Sequence, residues 1–278
     1  MMRRISLLFC ALALTLALSG CWASDEVNDE KDFWEDPSAD HTQEEIDTSA
    51  TPITSFALPY LQNVTFDPIT CPDGMQQTVG ALLYEGLFTL DESFTPQNFL
   101  CSHYEHNDGY TSYTFYLRES VCFSDGSTLT ANDVLAAYRR AQTSERYSAR
   151  FASVASMRVS NGALVITLSQ GNSAFPALLD IPIVKAGTES DSFPTGTGPY
   201  TKSASGELLA RNSHWWRSVT LPFDQINLLS YKSQEAAAYA FSSHDVHLLA
   251  YDMTGSRGDV ASTSGSYTDA DTTILQFL

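Results

Sequence analysis

The sequence has few basic residues. Among its 278 residues, 15 Lys and Arg stand against 33 Asp and Glu, so the formal net charge at pH 7 is −18. It contains no basic stripe, and because contacts to nucleic acid phosphates depend on clustered Lys and Arg, we expect no binding to nucleic acid. Outside the N-terminus it also lacks an uncharged apolar run of about 18 residues, which excludes a polytopic membrane protein. The 43% hydrophobic and 12% aromatic residues exclude a disordered chain.

Common catalytic motifs are missing as well. The sequence has no H-E-x-x-H, no P-loop, no nucleophile elbow and no C-x-x-C. Two histidine pairs are spaced three residues apart, His103 with His106 and His244 with His247, but no Cys or carboxylate spacing completes a metal site around either pair. We therefore predict a protein that is not an enzyme and that uses no metal or cofactor.

The N-terminus has the features of an export signal. Residues 1–4 are positively charged, residues 5–18 form an apolar run, and residues 18–21 (LSGC) resemble a bacterial lipobox. The resemblance implies that residues 1–20 are a signal peptide and that Cys21 is the site of lipid attachment. Acyl chains on Cys21 would then hold the protein at the extracytoplasmic face of the bacterial cell membrane. The alternative interpretation is an ordinary secretory signal followed by a chance cysteine.

An acidic segment follows the signal. Residues 21–50 contain eleven Asp and Glu and one Lys, a net charge of −10. Because such a segment repels itself and has little apolar surface to bury, we predict a flexible tether over 21–50 and a folded region over 51–278. Within that region, Cys71, Cys101 and Cys122 remain, and an exported setting permits one disulfide among them. The sequence does not select the pair.

Local patterns predict a mixture of helices and hairpins without strict βαβ alternation. Helices are expected over residues 75–88, from a Thr130 cap to Gln142, over 174–179, and from a Ser233 cap through Phe241. Strands are expected at 103–104 and 113–117, and at 157–159 and 164–168 around an Asn161–Gly162 turn. Gly86 is expected to end the first helix as a left-handed cap.

Six short motifs follow one another along the chain, and the six in this order are far more specific than any one of them. They are residues 66–68 (FDP), 83–88 (LYEGLF), 113–118 (YTFYLR), 123–134 (FSDGSTLTANDV), 196–200 (GTGPY) and 211–216 (RNSHWW). In this order the chain resembles family 5 of the extracytoplasmic solute-binding proteins, the peptide- and nickel-binding components of ATP-driven importers. The resemblance covers residues 56–278. It implies a mixed α/β fold of the type II periplasmic-binding-protein kind, with a hairpin-rich subdomain.

The same resemblance implies a function and a site. The chain would be a substrate-binding lipoprotein for oligopeptides or dipeptides, working with the permease subunits of an ABC importer, and nickel or a nickel chelate is the other ligand class. Cys71, Pro72, Asp73 and Gly74 would lie beside the cleft, where family members pair with the ligand backbone as an added strand. Tyr147 would be an aromatic residue of the same cleft. Pro72 has no N–H group to donate, so full strand pairing is not expected.

The chain departs from the family in length. It ends where family members enter the hinge and the second lobe, so residues 51–278 correspond to the first lobe only. The second lobe supplies the acidic group that pairs with a peptide amine, and from one lobe we expect weak or no ligand binding. The alternative is a truncated or decayed surface lipoprotein with no transport role.

Overall fold

The computed structural model describes residues 55–72 and 74–250. Cys21, Asp73, the predicted signal peptide and the predicted tether lie outside the described residues. The described strands, in chain order, are β1 (Phe56–Leu61), β2 (Glu85–Gly86), β3 (Phe88–Leu90), β4 (Pro96–Asn98), β5 (Cys101–His106), β6 (Ser112–Leu117), β7 (Val154–Ser160), β8 (Ala163–Leu168), β9 (Pro182–Ile183), β10 (Tyr200–Lys202), β11 (Leu208–Arg211) and β12 (Gln225–Tyr231). The helices are α1 (Met75–Leu83), α2 (Ala131–Gln142) and α3 (Gln234–Ser242), with short 3₁₀ turns at Ser148–Phe151 and Phe175–Leu178.

The first core lies on a four-stranded sheet in the order β1-β12-β11-β10. β1 pairs in parallel with β12, and β12, β11 and β10 follow one another as antiparallel neighbours. Buried residues of these strands, including Leu58, Leu209 and Ile226, pack with Val79 and Leu83 of α1. On the other side of β1, the His247 N–H donates to the carbonyl of Ala57 and its Nδ1 accepts from the Ala57 N–H, both at 3.0 Å.

The second core lies on an antiparallel sheet in the order β5-β6-β8-β7. Tyr113 and Phe115 of β6 alternate with partly exposed residues, which is the pattern of a strand with one buried face. Val134 and Tyr138 of α2 pack in the same core. The helix begins after Thr130, whose N–H donates to the Asp133 carboxylate at 3.0 Å and so satisfies a terminal donor.

The chain crosses between the two cores at β2 and β9, which pair antiparallel. The predicted helix over 75–88 is therefore wrong at its end, because α1 stops at Leu83 and Tyr84 is already extended. Gly86 is not a left-handed cap. A Cβ there would lie 3.0 Å from the Ile181 carbonyl oxygen, so the glycine permits the close approach of the two crossing strands.

Most other local predictions are confirmed. The 103–104 and 113–117 strands pair as parts of β5 and β6, the Asn161–Gly162 turn joins β7 to β8, and Ser233 caps α3 through an oxygen that accepts from the Ala236 N–H. The predicted helix over 174–179 is a 3₁₀ turn.

Two further observations, on a disulfide and on membrane-spanning helices, apply to the described residues only. Cys101 and Cys122 do not form a disulfide with each other, and the Cys101 thiol donates to the His103 carbonyl at 3.1 Å. Within 55–72 and 74–250, no helix combines the length and the apolar character needed to cross a membrane.

Candidate functional site

The candidate site begins where β1 ends. β1 and β12 run parallel, so their carboxyl ends, at Leu61 and Tyr231, lie at the same edge of the sheet. The Gln62 N–H donates to the Tyr231 carbonyl at 2.9 Å across this edge, and the Gln76 side chain donates to the Leu61 carbonyl at 2.8 Å. In open α/β sheets, ligands bind in the crevice outside the carboxyl ends of strands. The predicted residues Cys71, Pro72 and Gly74 follow this edge in the chain, and Gly74 immediately precedes α1.

The loop after β1 contains a tight turn, which we call the 67–72 turn (residues 67–72). The Asp67 carbonyl accepts from the N–H groups of Thr70 at 3.1 Å and Cys71 at 2.8 Å. The Asp67 carboxylate, with its side chain 2% exposed, accepts from the Thr70 hydroxyl at 2.6 Å and forms an ion pair with Arg140 at the end of α2. The turn is thus fixed both internally and against the second core.

A second arginine holds the main chain of the same turn. Arg146 donates from Nη1 to the Pro68 carbonyl at 3.0 Å and from Nη2 to the Cys71 carbonyl at 2.6 Å. Its guanidinium carbon also lies 5.9 Å from the centre of the neighbouring Tyr147 ring. The segment after α2 and the loop after β1 therefore meet at Arg146.

The predicted Tyr147 is mostly buried. Two cations lie near its ring, Arg146 and Arg150. The Arg150 guanidinium carbon is 5.0 Å from the ring centre, and Arg150 is in turn paired with Asp180. Burial raises the pKa of the Tyr147 phenol, and the charges of Arg146 and Arg150 act in the opposite direction. The phenol is therefore neutral at physiological pH and is able to donate a hydrogen bond.

The structure brings Cys71 and Tyr147 to one place through Arg146. Cys71 is buried, Pro72 is exposed, and Gly74 is partly buried with a φ of 95° at the start of α1. Asp73 lies outside the described residues, so its place in the site stays a prediction.

A second polar cluster lies at the crossing between the cores. The carboxylate of Glu85, in β2, accepts three hydrogen bonds: from Trp215 Nε1 at 2.8 Å, from Trp216 Nε1 at 2.9 Å and from the Thr197 hydroxyl at 2.8 Å. Burial raises the pKa of Glu85, and the three donated bonds and the nearby Arg217 charge oppose that rise without cancelling it. Three of the sequence motifs thus meet at one buried carboxylate.

The described region includes a cavity of about 380 Å³. It is lined by residues 191–196 and 200–202 together with Leu83 and Ser124. None of Cys71, Pro72, Gly74 and Tyr147 is among the residues that line it. Phe193 links the cavity to the loop after β1, because its ring stacks on that of Phe66 with 4.1 Å between centres.

No metal centre is found in the part of the chain that the structure describes, because no three His, Cys, Asp or Glu side chains there converge. One histidine of each pair has another contact. His103 stacks on Tyr116 with 4.4 Å between ring centres, and His247 bonds to the main chain of β1.

Sequence reasoning did not assign the residues that hold the site together. In the sequence, Asp67 and Glu85 stand out only as members of the FDP and LYEGLF motifs. Arg146 stands out only as the neighbour of Tyr147. Arg140 had no signal beyond its position in the last turn of an amphipathic helix. Their roles depend on partners 60 or more residues away, as the separation of 73 residues between Arg140 and Asp67 shows.

Solved structures define the class of fold. The chain is similar to NikZ from Campylobacter jejuni in complex with Ni(L-His), with a TM-score of 0.53, 20% identity and coverage of 70% of this chain and 43% of that one. It is similar to the oligopeptide-binding protein AppA from Bacillus subtilis in complex with a nonapeptide, with a TM-score of 0.54, 17% identity and coverage of 69% and 43%. The described residues thus have the mixed α/β fold of type II periplasmic binding proteins, of which they match a part.

The sequence comparisons identify the family. The profile of the bacterial extracellular solute-binding proteins, family 5 Middle, matches residues 95–274, and the chain belongs to this family. It is also 34% identical over 149 residues to the glutathione-binding proteins GsiB of Escherichia coli (strain K12) and Salmonella typhi. That alignment covers 49% of this chain and 29% of either relative, so the chain spans well under half of the curated relatives that it matches.

Proposed function

We propose that the chain is the solute-contacting part of a substrate-binding lipoprotein that serves an ABC importer for dipeptides or oligopeptides. The observation that carries the proposal is the meeting of Cys71 and Tyr147 at Arg146, beside the carboxyl end of β1. Such a binding protein performs no chemistry. Its affinity comes from desolvation and from hydrogen bonds, and its partners are the solute and the permease subunits of the importer.

The relatives support a peptide-type solute. Glutathione, named for the GsiB relatives, is a tripeptide, and the AppA structure contains a nonapeptide. Both carry amide groups and charged ends, which suit a site that contains a neutral phenol and arginines. We propose Pro72, Asp73, Gly74 and Tyr147 as solute-contacting residues, with Cys71 at the base of the same loop.

We further propose that residues 1–20 are a signal peptide, 21–50 an acidic tether, and 51–278 the first lobe of the solute-binding region. Cys21 would carry the lipid that places the protein at the extracytoplasmic face of the membrane. The intact mass of the protein extracted from membranes tests this part. We expect a mature N-terminus at Cys21 that carries acyl groups, and expect Cys21→Ser to abolish that species. An unmodified mass with cleavage elsewhere would contradict the lipoprotein assignment.

Solute binding is tested by thermal unfolding of the purified protein with glutathione, trialanine or Ni(II)–histidine. Because a bound ligand stabilises the native state by RT ln(1 + [L]/Kd), a millimolar peptide that binds weakly raises the free energy of unfolding by about 1 kcal/mol. We expect a rise with the two peptides and none with Ni(II)–histidine. A rise with the nickel complex alone would assign the other ligand class, and no rise with any probe would contradict solute binding by this chain.

A further inference from the structure

The Arg146 side chain forms hydrogen bonds to the main chain of the loop that is proposed to contact solute. It donates to two carbonyls of the 67–72 turn, those of Pro68 and Cys71, and its Nη1 also lies 4.0 Å from the Cys71 sulfur. Resting on the proposed function, we propose that Arg146 is a positioning residue. It holds the 67–72 turn in place, and its hydrogen bond makes the Cys71 carbonyl unavailable to a solute. The site therefore favours short solutes, which are bound through their charged ends, over long extended peptides.

The hydrogen bonds of this loop show which groups remain for a solute. The Cys71 N–H donates to the Asp67 carbonyl at 2.8 Å, and the Cys71 carbonyl accepts from Arg146 at 2.6 Å. Pro72 has no N–H. The Gly74 carbonyl accepts from the Thr78 N–H at 3.0 Å, within α1.

Pairing with an extended peptide requires a succession of available N–H and C=O groups along one edge. Of the main-chain groups of Cys71 and Pro72, the Pro72 carbonyl alone is not used in the bonds described above. A long peptide therefore finds no continuous edge at these two residues. A short solute needs fewer main-chain contacts, because its charged ends supply much of the recognition.

The chemistry of arginine suits this role. Its planar guanidinium donates from two nitrogens in fixed directions, which lets one side chain bridge carbonyls of residues three apart. A lysine keeps the positive charge but presents it as a compact ammonium, and an alanine removes both the charge and the donors. Substitution by Lys and by Ala therefore separates charge from geometry.

Arg150 provides a matched control on the same segment. It also lies against the Tyr147 ring, but its hydrogen bonds go to Asp180 and to the Leu178 carbonyl, and none of those recorded for it reaches the 67–72 turn. Loss of Arg150 should disturb the surroundings of Tyr147 without releasing the turn.

The experiment measures the rate at which each cysteine of the full chain reacts with a thiol reagent, resolved by mass spectrometry. Cys71 reports on the 67–72 turn, and Cys101, fully buried in the second core, reports on unfolding of that core. We expect Arg146→Ala to raise the Cys71 rate by about tenfold and Arg146→Lys to raise it less. We expect Arg150→Ala to leave it within about twofold of wild type, with the Cys101 rate unchanged throughout.

The positioning role is overturned if Arg146→Ala leaves the Cys71 rate unchanged, if Arg150→Ala raises it equally, or if Cys101 accelerates in parallel. A second arm adds glutathione, trialanine or a soluble nonapeptide of three Ala-Ser-Ala repeats. We expect the two tripeptides to slow Cys71 labelling in wild type and the nonapeptide not to. Protection by the nonapeptide at equal or lower concentration overturns the preference for short solutes. If no probe protects wild type, the proposed function fails, while the role of Arg146 is still decided by the labelling rates without solute.

Discussion

Two acidic side chains are buried in the described region, and their surroundings differ. Asp67, in the loop after β1, is 2% exposed and faces the guanidinium of Arg140. Glu85, at the crossing between the cores, is 6% exposed and accepts its three hydrogen bonds from neutral donors. Asp67 thus has an ion-pair partner, whereas the three hydrogen bonds to Glu85 come from uncharged groups.

The difference explains what each carboxylate does for the fold. The Asp67 pair joins the loop after β1 to α2, and the Arg140 side chain, 29% exposed, keeps part of its hydration. Glu85 instead gathers a hydroxyl and two indoles from segments more than 110 residues away. Neutral donors only partly offset the loss of water, and burial therefore raises the Glu85 pKa.

The largest expected effect comes from breaking the ion pair. Asp67→Asn keeps the shape of the side chain but leaves the Arg140 charge without its anion. Removing one member of a buried pair is strongly destabilising, and the partial exposure of Arg140 moderates the cost to about 2–3 kcal/mol. Urea unfolding would measure this change. A loss below that of an exposed-pair variant would show that the pair does not stabilise the loop.

The second prediction concerns Glu85→Gln and pH. The amide keeps one acceptor oxygen but places an NH₂ against one of the donors, so we expect a loss of about 1–2 kcal/mol at pH 7. Because the native pKa of Glu85 lies above its unfolded value of about 4.3, the native state binds more protons between these two values. The free energy of unfolding of the wild type should therefore fall, relative to that of the variant, as pH rises through this window.

Unfolding of both proteins from pH 4 to pH 7 measures that difference. Glu105→Gln, at an exposed position in β5, serves as the control for the loss of one acidic group. A constant difference between wild type and Glu85→Gln across the range would contradict a raised pKa.

A smaller effect is expected from Thr197→Val, which replaces the hydroxyl by a methyl group of similar size. Thr197 is fully buried and donates to Glu85 at 2.8 Å. We expect a loss of about 1 kcal/mol and a further rise in the Glu85 pKa, visible as an upward shift in the pH dependence of tryptophan fluorescence. Equal fluorescence titrations of variant and wild type would show that the hydroxyl does not act on the carboxylate.

The smallest effect should come from Asp224→Asn. Its carboxylate also faces an arginine, Arg211 at 3.1 Å, but the Asp224 side chain is 85% exposed. Exposed pairs contribute little, so we expect a change of less than about 0.5 kcal/mol by the same urea measurement. A loss comparable to that of Asp67→Asn would show that burial is not what separates the two pairs.

Local sequence patterns predicted much of the second core. The Asn161–Gly162 turn, the alternation in β6 and the Thr130 cap each depend on neighbours within a few residues, and each is confirmed. The end of α1 was predicted wrongly because the helical pattern continues to Phe88. The pairing of β2 with β9, about 100 residues away along the chain, overrides that local preference.

The site shows the same division. The motif order predicts the family, which the profile match confirms. It also predicts Cys71 and Tyr147 as site residues, and their contact with solute stays a prediction. The bonds from Arg146 to the Pro68 and Cys71 carbonyls have no local signature, since a main-chain acceptor leaves no trace in the residue types.

The order of motifs, the acidic composition and the hairpin and capping signals are properties that short stretches of sequence specify alone, because they depend on residue type and on contacts within a turn or two. The crossing at Gly86, the pairing of Asp67 with Arg140 and the burial of Glu85 depend on groups brought together from distant segments. Only folding removes water from these groups. Because a buried polar group without a partner is costly, the choice of partner then decides how much each group contributes to stability.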